Sequence, residues 1–182
     1  MSENDDIKDV NECLKGNGKA FERLIDRYQK ALFNTAIRMV NDYDDAKDIT
    51  QTAFVKAFEK LDSFKPEYKF FSWLYRILVN ESLNFIGKQR QHMPLEQDII
   101  STADTPEEKF SRDQVSRTVD EAIGSLPVDY RMAIVFRHFA DLSYQELSYV
   151  LNLPVKTVKS RLYTARQKLS RLFTEKGLVA NE

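Results

Sequence analysis

The sequence predicts an all-α protein built from two small helical domains joined by a flexible linker, on three observations. Glycine and proline are scarce, five of each in 182 residues, which suits helices better than turn-rich β structure. Apolar residues recur at three- and four-residue spacing along most of the chain, and no stretch alternates with the period of a half-buried strand. Residues 91–113 interrupt this rhythm: QHMPLEQDIISTADTPEEKFSRD holds two prolines and six acidic residues without sustained periodicity.

Three helical patterns precede residue 90. In the first, Phe21, Leu24, Ile25, Tyr28, Leu32, Ala36, Met39 and Val40 share a face, and Asn41-Asp42 breaks it. The second starts near Asp44 and turns Ala46, Ile49, Ala53, Phe54, Ala57, Phe58 and Leu61 inward. After the loop 62–69, a third helix starts at Phe70 or Phe71 and carries Trp73, Leu74, Ile77, Leu78 and Phe85. It is expected to end near Gly87, with Lys88 and Arg90 suiting the negative end of the helix dipole. Helical character returns from about Phe110, with Val115, Val119, Ala122 and Ile123 on one helix. Leu126-Pro127 turns the chain, and Asp129 to Phe139 forms the next helix.

The stretch LSYQELSYVLNLPVKTVKSRLYTARQKLSR, Leu142 to Arg171, carries the sharpest signal. Ser143 and Glu146 have capping-box spacing. Asn152-Leu153-Pro154 cannot easily continue a helix, because the residue before proline is pushed out of the α region. A second helix begins near Val155. At about 100° per residue, Val158, Leu162, Ala165 and Leu169 fall on one side. Lys156, Lys159, Ser160 and Tyr163 fall opposite, flanked by Arg161 and Arg166. From Val155 to Arg171 there are six basic residues and no acidic one. A solvated basic helix on a bundle would explain the charge alone. The cap, the turn and the one-signed face together read as a helix-turn-helix, whose second helix offers cations to phosphates and polar donors to base edges.

The net charge of −1 conceals an uneven distribution. Residues 1–62 hold ten basic and thirteen acidic residues, 63–92 five and two, 93–130 three and nine, and 131–182 nine and four. Two basic segments are thus separated by an acidic one, and nucleic-acid binding follows local potential more than whole-chain charge. The single cysteine, Cys13, cannot form an internal disulfide and reads as a small helix residue in a reducing compartment. With one cysteine and two histidines, a structural zinc site is not expected. No apolar run approaches the ~20 residues that span a bilayer. The acidic, polar start MSENDDIKDVNE is not expected to be a signal peptide.

Four blocks, in order, resemble the extracytoplasmic-function class of bacterial sigma factors: DDAKDITQTAFVKAFEKLDSF (44–64), FFSWLYRILVNESLNF (70–85), LPVDYRMAIVFRHFADLSYQELSYVL (126–151) and LPVKTVKSRLYTARQKL (153–169). The resemblance covers about residues 10–173. It implies an N-terminal domain, residues 10–90, that binds core polymerase and reads the minus-10 region. A linker, 91–113, and a C-terminal helix-turn-helix domain, 114–175, for the minus-35 element complete the expected organisation.

The resemblance also implies roles. Asp48, Gln51 and Phe54 would dock on a coiled coil of the RNA polymerase β′ subunit; a place in the core is the alternative for Phe54, while Asp48 and Gln51 read as contact surface. The loop 64–69 and the following helix would hold the melted strand with one base flipped out, through Phe64, Lys65, Lys69 and Asn80, with Arg76 as a phosphate contact or an ion-pair partner. Tyr68 and Phe70 add to the aromatic-basic composition that suits single strands, while Trp73 reads as core. Lys156, Thr157, Lys159, Ser160, Arg161, Tyr163 and Arg166 would face duplex DNA. The sequence departs from the family pattern at Lys156, where a small residue is usual, and at Thr164, where a basic residue is frequent. Asn152 stands where glycine is common, and Asn84 replaces a frequent aspartate.

The expected partners are core RNA polymerase, through its β′ and β subunits, promoter DNA and, by resemblance alone, an anti-sigma protein. No cofactor, catalytic centre, metal site or membrane insertion is expected, and the expected location is the cytoplasm. Linking two weak sites through residues 91–113 would raise effective concentration without new contacts. A stand-alone helix-turn-helix regulator is the alternative; it leaves the aromatic-basic loop without a task.

Overall fold

The computed structural model describes residues 3–92 and 114–175, and the predicted linker lies almost wholly outside the described residues. The described residues form eight α-helices and one 3-10 turn, with no strand among them. The N-terminal unit comprises α1 (Glu3–Leu14), α2 (Gly18–Val40), α3 (Tyr43–Glu59), the 3-10 turn Leu61–Ser63, and α4 (Phe70–His92). The C-terminal unit comprises α5 (Gln114–Gly124), α6 (Val128–His138), α7 (Tyr144–Leu151) and α8 (Val155–Glu175).

Helix α1 has no counterpart in the apolar periodicity, because its inner face is partly ionic. Asp6, Asp9, Val10 and Cys13 follow helical spacing and are all buried. Arg27 pairs with Asp6 and, at 2.9 Å, with Asp9, and Arg23 pairs with Asp9 at 2.7 Å and Glu12 at 2.6 Å. The Tyr28 hydroxyl donates to Asp6, and burial together with that carboxylate pushes the phenol above its usual range. Carboxylates buried in this way persist only when paired.

The α2–α3 corner is sharp for two local reasons. Asn41 adopts the left-handed conformation (φ 59°) and its N–H caps the Ile37 carbonyl at 2.8 Å. Asp42 then caps α3, its carboxylate accepting from the Asp45 N–H at 3.0 Å. In the core of this unit Leu24, Leu32, Met39, Leu74, Tyr75 and Leu78 are fully buried. Each such aliphatic side chain contributes roughly 1.5–3 kcal/mol of transfer free energy. Helix α4 runs on through Gly87 to His92, past the expected stop. Gly87 lies in open space, and the following KQRQ segment is made of good helix formers, so one glycine does not end the helix.

In the C-terminal unit, Val135, Phe136, Leu142, Leu147 and Leu162 form the centre. The two units pack directly, α4 on α7 and α2 on α5 and α6, within one continuous buried cluster. Tyr75 meets Phe136 edge-on, with ring centroids 5.3 Å apart. Arg38 pairs with Asp120 at 3.3 Å and lies 4.1 Å from the Phe139 ring centroid. Arg131 donates to the Met39 carbonyl at 2.6 Å. The two helical domains stand as the sequence leads one to expect; their relative placement, which the sequence leaves open, is an interface in this structure.

Candidate nucleic-acid interface

The helix-turn-helix is assembled as its local chemistry requires. The Ser143 hydroxyl accepts from the Glu146 N–H at 3.2 Å, and the Ser143 N–H donates to the Glu146 carboxylate at 2.8 Å, completing the capping box. Asn152 takes the left-handed position after α7 (φ 52°), which accounts for a residue other than glycine in this turn, since asparagine tolerates that conformation better than most. The Pro154 carbonyl accepts from Thr157 at 2.9 Å and Val158 at 3.1 Å, opening α8.

On α8, Val158, Leu162, Ala165 and Leu169 are buried as the periodicity requires. Lys156, Lys159, Ser160, Tyr163 and Arg166 are exposed, with Thr157 and Arg161 partly so. Tyr163 is the most exposed of the large hydrophobic side chains among the described residues, at 67%. Several cations are already held in place. Lys159 lies 5.6 Å from the Tyr144 ring centroid, and Arg161 pairs with Asp129 at 3.2 Å. Arg166 approaches His138 at 3.5 Å. Burial, with Arg166 and Arg137, holds the His138 pKa below its ordinary value. Of the two departures on this helix, Lys156 is exposed and Thr164 sits half-buried on the flank.

The loop before α4 divides its aromatics differently from expectation. Phe64 is 8% exposed and packs edge-on against Phe70 and Trp73, with centroids 5.5 and 5.6 Å away. Phe70 is 1% exposed. Both are plugs that seat the loop on the helical core, so neither is a platform for a base. Trp73 is core, as expected. Tyr68 is the aromatic that points outward, 39% exposed. Lys65 and Asn80 are exposed. Arg76, Asn80 and Asn84 follow at four-residue spacing along one side of α4.

Three groups of this loop-and-helix surface meet α7. The Tyr68 ring stacks on Tyr149, with centroids 4.0 Å apart and planes 16° apart. The Arg76 guanidinium lies 5.0 Å from the Tyr149 centroid. Lys69 pairs with Glu146 at 2.9 Å. Burial opposes the charged form of Glu146, but hydrogen bonds from Ser143 and Lys69 outweigh it and hold the carboxyl below its ordinary pKa.

On α3, Asp48 and Gln51 are exposed. Phe54 is 7% exposed and lies edge-on to Phe21 at 6.5 Å, so it supports this face from beneath and cannot meet a partner. Phe58, expected inward, is 54% exposed, and Val55 is 57% exposed. Asp48, Gln51, Val55 and Phe58 fall on one stripe at helical spacing. The signal for the missed pair was present: AFVKAF (53–58) is too apolar for a helix that buries a single face.

Comparison with known proteins decides the family. The chain matches the model for Sigma-70 region 2 over residues 24–92 and that for Sigma-70, region 4 over residues 116–169. It is 36% identical to the ECF RNA polymerase sigma-E factor of Escherichia coli K12 across 88% of this chain and 90% of that protein. The chain belongs to the extracytoplasmic-function sigma factors. This sigma factor is also 31% identical to the RNA polymerase sigma-H factor of Pseudomonas aeruginosa, over 94% of this chain and 95% of that one. Identity to the Bacillus subtilis factor SigW is 32%, over 90% and 94%. Among solved structures, CnrH in complex with the cytosolic domain of CnrY gives a TM-score of 0.73 at 28% identity, covering 94% of this chain and 98% of that one. The Bartonella quintana sigma factor RpoE in complex with the anti-sigma factor NepR gives 0.70 at 27%, covering 86% and 98%. As a sigma factor the protein directs transcription initiation and is not itself an enzyme. No helix among the described residues is long and apolar enough to cross a membrane.

Proposed function

We propose that this sigma factor recognises promoters at two places while α3 holds it on core polymerase. The observation that carries the reading is the outer face of α8: from Val155 to Arg171 it bears six basic residues and no acidic one, set on a buried apolar stripe. Lys156, Thr157, Lys159, Ser160, Arg161, Tyr163 and Arg166 face the major groove of the minus-35 element, cations on phosphates and Ser160 and Tyr163 toward base edges. Arg161 exchanges Asp129 for a phosphate on binding.

The surface formed by Lys65, Tyr68, Lys69, Arg76 and Asn80 takes the nontemplate strand of the minus-10 region. Tyr68 supplies the stacking platform in place of Phe64 and Phe70. The stripe Asp48, Gln51, Val55 and Phe58 meets a coiled coil of the polymerase β′ subunit, with Phe54 as its internal support. Residues 10–90 and 114–175 act as the two recognition modules, and contact with the β subunit completes the docking.

Two structurally similar relatives, CnrH and RpoE, were solved with the cytosolic domain of CnrY and with the anti-sigma factor NepR respectively. We therefore place this chain under an anti-sigma partner, in the cytoplasm, as an alternative factor answering stress or envelope signals. Reconstitution with bacterial core polymerase on a promoter library tests the reading. Transcripts from a defined subset of promoters are expected; none, with the protein folded and bound to core, overturns it. With the selected promoter, Lys159→Ala should flatten the log–log salt dependence of duplex binding by ~0.9, and an unchanged slope removes Lys159 from the phosphate contacts.

A further inference from the structure

The contact between α7 and the loop before α4 has the chemistry of a bound single strand. Proteins hold an unpaired base between an aromatic ring and an arginine plane and hold the neighbouring phosphate on a lysine. Here the Tyr149 ring lies parallel to Tyr68 at 4.0 Å, and the Arg76 guanidinium lies 5.0 Å from its centroid. One helical turn earlier, the Glu146 carboxylate sits 2.9 Å from the Lys69 ammonium. A flat ring and an anionic oxygen are thus presented side by side, by one helix, to the three groups best suited to a nucleotide. Glu146 is held in place by the capping box, so the anion is positioned by the fold of the helix-turn-helix itself.

We propose that α7 is an internal competitor for the melted strand: in the closed form Tyr149 occupies the place of a base and Glu146 that of a phosphate. The inference rests on the reading of Tyr68, Lys69 and Arg76 as the single-strand site and adds a condition to it. A strand enters only when the C-terminal unit leaves, so the free chain captures single strands poorly. Opening frees the Tyr68 surface and ends the restraint of α7 on α4 in one step. The same helix that orients the duplex reader therefore keeps the strand trap shut until the two units separate.

The test uses the full chain and a fluorescein-labelled nontemplate oligonucleotide from the minus-10 region of a promoter selected by the reconstituted holoenzyme. Tyr149→Ala should bind it about tenfold more tightly than wild type, as the stacked ring of the competitor is removed. Tyr68→Ala should bind weakly in either background. A second readout needs no change at the contact. With dyes on Glu59→Cys and Gln167→Cys in a Cys13→Ala chain, the oligonucleotide should lower energy transfer as the units part. Equal binding by wild type and Tyr149→Ala, with Tyr68→Ala still weakened, overturns the competitor and leaves the strand site standing. Binding unaffected by Tyr68→Ala, or absent from every variant, overturns both. Unchanged energy transfer at saturating oligonucleotide also overturns the competitor.

Discussion

Arg131 of α6 donates a 2.6 Å hydrogen bond to the carbonyl of Met39 in the last turn of α2, and the other end of the same guanidinium reaches the carbonyls of Gly124 and Leu126. One side chain thereby serves the carbonyl ends of two helices, one from each unit. The last carbonyls of a helix have no partner within it, and their partial negative charge favours a cation. Arginine suits the task because its fixed fork spans acceptors that a lysine ammonium cannot reach together. Charge-assisted bonds of this kind contribute about 1.5–3 kcal/mol. Arg131→Met should therefore lower the unfolding free energy in urea by about 2–3 kcal/mol, and Arg131→Lys should recover less than half of it. An unchanged urea midpoint would remove the pin from the account of how the units hold together.

The α3 face separates docking from stability. Val55→Glu alters an exposed position and should change folding free energy by no more than about 0.5 kcal/mol, whereas Phe58→Glu also gives up the edge-on contact of its ring with Phe21, centroids 5.1 Å apart, and should cost about 0.5–1.5 kcal/mol; both should weaken binding to core polymerase at least tenfold. Phe54→Ala opens a void beside Phe21 and should cost about 3–5 kcal/mol of stability. Paired measurements of thermal unfolding and core binding check this, and loss of core binding by the glutamate variants only where they also unfold would contradict it.

The turn between α7 and α8 gives a backbone test. Asn152 sits at φ 52°, where a β-carbon is strained. Asn152→Ala should lose roughly 1–2 kcal/mol, and Asn152→Gly should be neutral or slightly stabilising. The order of the three melting temperatures checks this, and alanine equal to asparagine would show that the turn relaxes.

Acid should loosen the contact between the units. The Glu146 carboxyl is held below its ordinary range, so its contribution is fully present above the unfolded carboxylate pKa, near ~4.3. It is lost as pH falls through the lower folded value. Because Lys69 is largely exposed, the ion pair is worth less than about 1 kcal/mol. Glu146→Gln retains capping chemistry but not the charge. Its stability should fall short of wild type at pH 7 and approach it below about pH 4. A gap that stays constant across that window would assign the effect to the cap alone.

How far the sequence reveals this molecule depends on whether a contact is local or distant. The Ser143–Glu146 cap and the two faces of α8 depend on spacing within one helix or turn, and both were readable. Helix α1 was not, because Asp6 and Asp9 occupy positions where an apolar residue would have signalled an inward face, and their partners Arg23 and Arg27 lie on another helix. The loop aromatics misled for a similar reason. Phe64 and Tyr68 are equally plausible platforms in a one-dimensional string, and only the packing of Phe64 on Trp73 separates the plug from the exposed ring. The stack of Tyr68 on Tyr149 joins residues far apart in the chain, and no periodicity encodes it.

The stripe on α3 has a direction. Its polar members, Asp48 and Gln51, stand toward the helix start, and its apolar members, Val55 and Phe58, stand toward the end that leads into the Tyr68 loop. A partner matching both ends can lie along it one way only, since a reversed partner would strand a charge against Phe58 and an apolar group against Asp48. If α3 is the docking face proposed above, docking on it is oriented. On that proposal, the orientation of α3 would set on which side of the enzyme the opened strand is received.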